Sequence, residues 1–175
     1  MPCGSSFRRD LPLAVAPGTI SIVIRVPPTP APTTRSATLV MRANRRRDTA
    51  PERRVRSALH AVGLRFRVDL ALRVEHWARV IRPDVVFTSA KVAVFVDGCY
   101  WHGCPEHYEA AKSNVDYWGP KIARNRERDE AQTVALQSDG WLVVRVWEHE
   151  DPAAAAAAIS VGVRSRAGAR RRTPQ

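Results

Sequence analysis

Residues 92–107 read VAVFVDGCYWHGCPEH, and this stretch decides the fold. Val92, Ala93, Val94, Phe95 and Val96 form a short apolar run of β-formers with almost no polar alternation. That pattern suits a strand covered on both faces. Asp97 and Gly98 end the run. Cys99, Tyr100, Trp101, His102, Cys104 and His107 follow at once. Metal-ligand types, two aromatics and an acid at the end of a buried strand are not core filling. A strand end is where a rigid scaffold presents side chains to a substrate.

Upstream, Pro83-Asp84-Val85-Val86-Phe87 reads as a second strand, joined to the first by the turn Thr88-Ser89-Ala90-Lys91. The spacing predicts an antiparallel hairpin with a four-residue connection. Asp84 begins one strand and Asp97 ends the other, so the hairpin brings them side by side. Two carboxylates meeting there repel unless a cation lies between them. Mg²⁺, which takes one or two carboxylates with water and phosphate oxygens, is the simplest such cation.

A chain of 175 residues suits one domain with a real core. Its 28 Lys and Arg against 17 Asp and Glu give a formal charge of +11. Residues 41–150 carry little of that excess and the two ends carry the rest. An arginine-rich chain points to a polyanionic partner, or merely to an arginine-rich proteome. The 3 cysteines are an odd number, two of them beside histidines, which favours metal over disulfides and a reducing compartment. No apolar run is long enough to span a membrane.

Residues 1–40 are rich in proline and read as a disordered basic extension, with Met41 as an alternative start. Thr49 and Pro51 predict the start of a helix with Val55, Leu59 and Val62 on one face, ended by Gly63. Glu52, in its first turn, either complements the helix dipole or belongs to a catalytic site. Leu64–Val68 reads as a strand. A long helix is expected from about Tyr117 to Ser138, with Trp118, Ile122, Asn125, Asp129 and Leu136 in one stripe. A polar pair on a packing face needs partners, either backbone or a site. Trp141–Trp147 reads as another buried strand, and residues 151–175 as an Ala/Arg-rich disordered tail, a frayed helix running into solvated basic residues.

Cys99, Cys104 and His107 form a C-x4-C-x2-H run, and His149 follows the last strand. Together they describe a closed, structural Zn²⁺ site, stapling a loop with little apolar content of its own. The alternative is a pair of free, buried cysteines.

Arg82-Pro83-Asp84, a strand and then Val-Asp-Gly-Cys-Tyr-Trp-His-Gly-Cys resemble the very short patch repair (Vsr) endonucleases. The resemblance runs from about Met41 to Glu148. It includes Arg47-Asp48-Thr49-Ala50-Pro51-Glu52, Tyr117-Trp118, Lys121-Ile122, Asn125, Arg128-Asp129, Gly140-Trp141 and Val146-Trp147-Glu148. Residues 69–81 depart from it, being longer and more apolar than the family's short connection.

The resemblance implies a three-layer α/β domain of PD-(D/E)XK-like nuclease fold at 41–150, its mixed sheet flanked by helices. It implies a DNA endonuclease that nicks double-stranded DNA 5′ to the thymine of a T:G mismatch and leaves a 5′-phosphate. Asp84 and the Val96 carbonyl would hold Mg²⁺, with Asp97 in place of a histidine seen in some relatives. His102 would be the catalytic histidine, Glu52, Asn125 and Asp129 would border the site, and Tyr100, Trp101, Trp118 and Met41 would enter the base stack. The family also builds a zinc site from this loop and the residue after Val-Trp-Glu, usually cysteine and here His149. A monomer in the cytoplasm, associated with the nucleoid, is expected, with mismatch-repair proteins as candidate partners. The alternatives are a restriction-type or general repair nuclease of the same fold, and a zinc-stabilised DNA-binding module without catalysis. Asp84 with His102 speaks against the last.

Overall fold

The protein is described here from a computed structural model, which covers residues 25–31, 46–75 and 77–172. Met41, Cys3 and most of the expected extension lie outside the described residues. Within residues 25–31, Thr29 Oγ1 lies 3.2 Å from the Tyr117 hydroxyl.

Helix α1 spans Ala50–Ala61. Thr49 caps it and Pro51 sits in its first turn, as the sequence predicts. Glu52 completes a capping box: its carboxylate accepts from the Asp48 amide at 2.8 Å and from the Thr49 hydroxyl at 2.8 Å. Strands β1 (Val85–Phe87) and β2 (Val92–Asp97) pair antiparallel, with Val85 opposite Val94 and Phe87 opposite Val92. Helix α2 (Val115–Ser138) then crosses to β3 (Leu142–Trp147), which pairs parallel with β2 in the register Val92↔Leu142 to Asp97↔Trp147. The sheet is therefore mixed, in the order β1-β2-β3. Its central strand β2 is buried along nearly its whole length.

Side-chain alternation along the strands sorts the core into two layers. Val85, Phe87, Val92, Val94 and Val146 pack with Val55 and Leu59 of α1 on one face. Val86, Ala93 and Phe95 pack with Leu136 of α2 on the other. The three-layer, mixed-sheet architecture expected from the sequence is present.

Two sequence expectations need correction. Within the expected tail, residues 152–172 are not disordered, because helix α3 runs Pro152–Arg172. Asp151 caps it, accepting from the Ala153 and Ala154 amides at 3.3 and 3.0 Å. Ala155, Ala156 and Ile159 complete the α1 side of the core. Small residues let this helix lie close to the sheet: a Cβ on Gly162 would meet Leu142 Cδ2 at 2.9 Å. Arg166 donates to the carbonyls of Ala90 and Gly140, tying the helix to two turns. The domain thus extends past residue 150.

The expected strand Leu64–Val68 contracts to a single antiparallel bridge, Arg67↔Val86, on the β1 edge. Phe66 and Leu64 instead pack against the α1-side core. The segment left unassigned in sequence, residues 69–81, folds back on itself through a Leu72↔Ile81 bridge. It buries Leu72, Val74 and Ile81 beside α2 and covers the second face of the sheet.

Ile159→Ala tests the corrected role of α3. A side chain 1 % exposed in the core should cost ~2–5 kcal/mol of stability on truncation, read by urea denaturation. A change within ~0.5 kcal/mol is what an exposed tail position would give.

Candidate active site and metal centre

Two groups of polar side chains lie at the carboxyl ends of β2 and β3. The first is the Cys/His group. Cys99 Sγ lies 3.1 Å from His149 Nδ1, and Cys104 Sγ lies 3.8 Å from both His107 Nδ1 and His149 Nδ1. All the candidate ligand atoms fall within 4.8 Å of one another. A tetrahedral zinc with Zn–S of about 2.3 Å and Zn–N of about 2.0 Å separates its ligand atoms by roughly 3.5 Å, so the residues fit that ion. The parallel strand register does the gathering. Glu148 donates its amide to the Asp97 carbonyl at 2.9 Å, and the Glu148 carboxylate accepts from the Cys99 amide at 2.7 Å. Without a cation, burial and the neighbouring Cys104 and Glu148 push the Cys99 thiol up to about 12. That environment suits a thiolate only beside a positive charge. All four sequence-derived ligands come together here.

The second group surrounds Asp84. Its Oδ2 accepts from the Val96 amide at 2.7 Å, which fixes the carboxylate and leaves Oδ1 for another partner. The N–H and C=O of one strand residue point to the same side, so the Val96 carbonyl also faces Asp84. Burial pushes the Asp84 carboxyl up to about 7, and the charges of Glu52 and Asp97 add to the shift. A buried carboxyl raised by other carboxylates is a place where a divalent cation fits.

Asp97 does not stand free beside it. Arg145 of β3 donates to both its carboxylate oxygens, at 2.6 and 2.8 Å. The same guanidinium lies 3.5 Å from Asp129 Oδ2 and stacks 4.8 Å from the Phe95 ring centroid. Arg145 is the site residue that sequence reasoning missed. The signal was a lone arginine in an otherwise apolar strand, which must find a carboxylate to be buried at all.

His102 occupies the gap between the two acids. Its Nδ1 lies 2.5 Å from Asp129 Oδ2 and 3.5 Å from Asp97 Oδ1. Burial opposes the charge of Asp129, but the bond from His102 and the Arg145 and Arg128 cations hold its pKa below the usual carboxylate range. Asn125, one turn earlier on α2, donates to the Trp101 carbonyl at 2.9 Å. Both polar members of the α2 stripe therefore hold the loop after β2. Gly103 closes the contact: at φ +62, a Cβ there would meet Ile122 Cγ2 at 3.2 Å and Arg126 Cδ at 3.1 Å.

Tyr100, Trp101 and Trp118 form a half-buried triangle with ring centroids 5.3–5.6 Å apart and edge-to-face geometry. Tyr108 and Tyr117 extend it. The rings support one another rather than standing separately in solvent. Glu52, buried by its capping box, reaches Asp84 only through its charge.

Comparison with known proteins finds DNA endonucleases. A family model described as "DNA mismatch endonuclease Vsr" matches residues 31–108. The chain is 48% identical over 130 residues to the type II nicking enzyme V.NaeI of Lentzea aerocolonigenes, spanning 74% of this chain and 78% of that protein. It is 42% identical over 115 residues to the type II nicking enzyme V.XorIIP of Xanthomonas oryzae pv. oryzae, spanning 63% and 78%. It is 38% identical over 109 residues to the DNA mismatch endonuclease Vsr of Escherichia coli, spanning 62% and 66%.

The raised pKa of Asp84 makes a pH prediction. The folded chain holds this proton more tightly than the unfolded chain does. In magnesium-free buffer the residue's contribution to stability is therefore full at about pH 4 and lost as pH rises through about 7. Asp84→Asn escapes the loss and should melt above the parent at pH 8, by on the order of a few kcal/mol. The two should converge toward pH 4. Parallel melting curves across that range would show that Asp84 does not titrate in this way.

Proposed function

Since the chain belongs to the Vsr family and is a DNA endonuclease, we propose that it nicks one strand of double-stranded DNA beside a T:G mismatch, 5′ to the thymine. The observation that carries this reading is the joint placement of Asp84, the His102–Asp129 pair and the aromatic triangle around one strand end. Asp84 and the Val96 carbonyl would hold a divalent cation such as Mg²⁺, which would supply positive charge to the scissile phosphate and the leaving oxygen. Asp129, held ionised, can only accept a hydrogen bond, so it fixes the proton of His102 on Nδ1. The opposite nitrogen, Nε2, is then the base that takes the proton from the attacking water. Arg145 neutralises Asp97 and restrains it. In this reading Asp97 shapes the site electrostatically and acts on His102 rather than binding the cation directly.

Tyr100 and Trp101, from a loop stapled on both sides, and Trp118, from the first turns of α2, present apolar faces. Apolar wedges between base steps kink a duplex, and a mispaired step opens at least cost. Zn²⁺ at Cys99, Cys104, His107 and His149 is structural in this reading, holding the loop that carries the wedge and His102. Among the described residues no helix is long and apolar enough to cross a membrane. A monomer working on chromosomal DNA in the cytoplasm fits the substrate, with mismatch-repair proteins acting on the nick.

A second reading, favoured by the names of the nicking-enzyme relatives, is cleavage of one strand at a sequence without any mismatch. End-labelled duplexes differing only in a T:G or a T:A pair separate the two. The first reading expects Mg²⁺-dependent nicking of T:G at a rate at least tenfold above T:A, abolished by Asp84→Ala. Equal cleavage of both duplexes would favour the second.

Zinc should copurify at close to one atom per chain, measured by elemental analysis. His149→Ala should release it at lower chelator concentration and lower the melting temperature, because structural zinc binding is coupled to folding. Unchanged zinc retention in that variant would remove His149 from the ligand set.

A further inference from the structure

Most described arginines near the site are bound to carboxylates. Arg46, Arg47 and Arg82 converge on Asp69, Arg56 contacts Asp48 and Glu52, and Arg145 holds Asp97. A groove between residues 77–79 and α2 breaks this pattern. It is lined by Trp77 and Arg79 on one wall and by Lys121, Arg124, Asn125 and Arg128 on the other. Arg128 is already bonded to Asp129 at 2.9 Å. Arg79, Lys121 and Arg124 have no carboxylate partner among the described residues. Glu127 is the acid on the lining. Cations outnumber that single acid around the concavity, and like charges gathered there suit an anion entering between them.

The groove is not isolated from the site. Asn125 lies in its lining and also donates to the Trp101 carbonyl. One turn further along α2, Asp129 binds His102. A polymer whose scissile phosphate sits at Asp84 and His102 therefore has neighbouring phosphates within reach of the groove. The opposite wall belongs to residues 69–81, the segment in which this sequence departs from the family's short connection. The Leu72↔Ile81 bridge and the core contacts of Leu72, Val74 and Trp77 anchor that wall. The Trp77 Nε1 proton is buried without a partner at this wall. The segment thus tolerates an unsatisfied donor, a cost of ~1–3 kcal/mol, in the conformation that sets Arg79 opposite Arg124.

We propose that this groove is a second, sequence-independent contact for duplex DNA, binding backbone phosphates of the strand flanking the cut through Arg79 and Arg124. It rests on the reading of the site as a DNA-cleaving centre, and it adds a contact surface that residues 69–81 supply. Phosphate contacts position a duplex without reading its bases. The groove therefore raises affinity for matched and mismatched DNA alike and leaves discrimination to the loop after β2.

The test is equilibrium binding of the full chain to a matched duplex across a salt series, without Mg²⁺ so that no cleavage intervenes. Arg79→Gln and Arg124→Gln should each lower the slope of log K against log salt by ~1 and weaken binding several-fold at physiological salt. T:G and T:A duplexes should lose affinity by the same factor. Arg79→Lys, which keeps the charge, should keep the slope, and Arg65→Gln, an exposed arginine outside the groove, should match the parent. An unchanged slope in both glutamine variants overturns the proposal. So does a loss confined to the T:G duplex, which would mean the groove reads bases. Because the assay reads binding to matched DNA, its outcome stands apart from whether T:G is the preferred nicking target.

Discussion

The parallel register of β2 on β3 is the constraint from which the site follows. It sets Asp97 opposite Trp147 and lets the Glu148 amide bond the Asp97 carbonyl. Both strands then end at one edge, and the chain leaving each has one place to go. Cys99 and His149 meet there although they are 50 residues apart in sequence. The Glu148 carboxylate, capping the Cys99 amide, fixes the direction of the loop at its first residue. A slip of one residue would turn every β3 side chain to the opposite face. Arg145 would then lose Asp97, and His149 would leave the cysteines. The same register thus underlies the Cys/His group and the charged site.

The charged site is expensive, and its arrangement shows how the cost is offset. Asp97, Arg145, Asp129 and His102 form one network in which each carboxylate touches a cation or the imidazole. Burial opposes the charge on Arg145, yet Asp97, Asp129 and Asp84 raise its pKa above the ordinary value. Removing one partner from such a set strands a buried charge, at ~3–5 kcal/mol. Asp84 is the exception, since it has a backbone donor and, among the described residues, no cationic side chain bonded to it. Its carboxyl is the one pushed up to about 7. The network satisfies its other acids internally and leaves Asp84 as the acid that profits from an added cation.

Much of this was legible in the sequence because local chemistry and tertiary position agree. The valine run of β2, the four-residue turn and the C-x4-C-x2-H spacing act over short distances. Asn125 and Asp129 stood out because helical periodicity placed them among apolar neighbours, where a polar group needs a partner. What escaped had weak local signals. The alanine run of α3 resembles low-complexity chain, and its packing stripe of Ala155, Ala156, Ile159 and Val163 is built largely from small side chains. Gly162 carries no sequence signal of its role as the point of close approach to Leu142. Arg145 depends on a pairing register that no local pattern announces. Residues 69–81 alternate poorly, since Leu72 and Val74 face the core from a turn-rich segment rather than a strand.

The aromatic triangle joins the two halves of the molecule. Tyr100 and Trp101 come from the loop after β2 and Trp118 from the first turns of α2. Asn125 binds the Trp101 backbone from the same helix. A ring meant to enter a base stack has to be apolar and at least partly accessible, yet fixed well enough that ordering it on binding costs little. Edge-to-face packing among three half-buried rings meets both demands, which a single exposed tryptophan on a free loop would not. The metal-ligand group is the other half of that rigidity. Cys99 immediately precedes Tyr100, and Cys104 follows His102 by two residues. Tyr100, Trp101 and the His102 imidazole are therefore held between the same pair of cysteines, so in the proposed reading recognition and cleavage share one mechanical support.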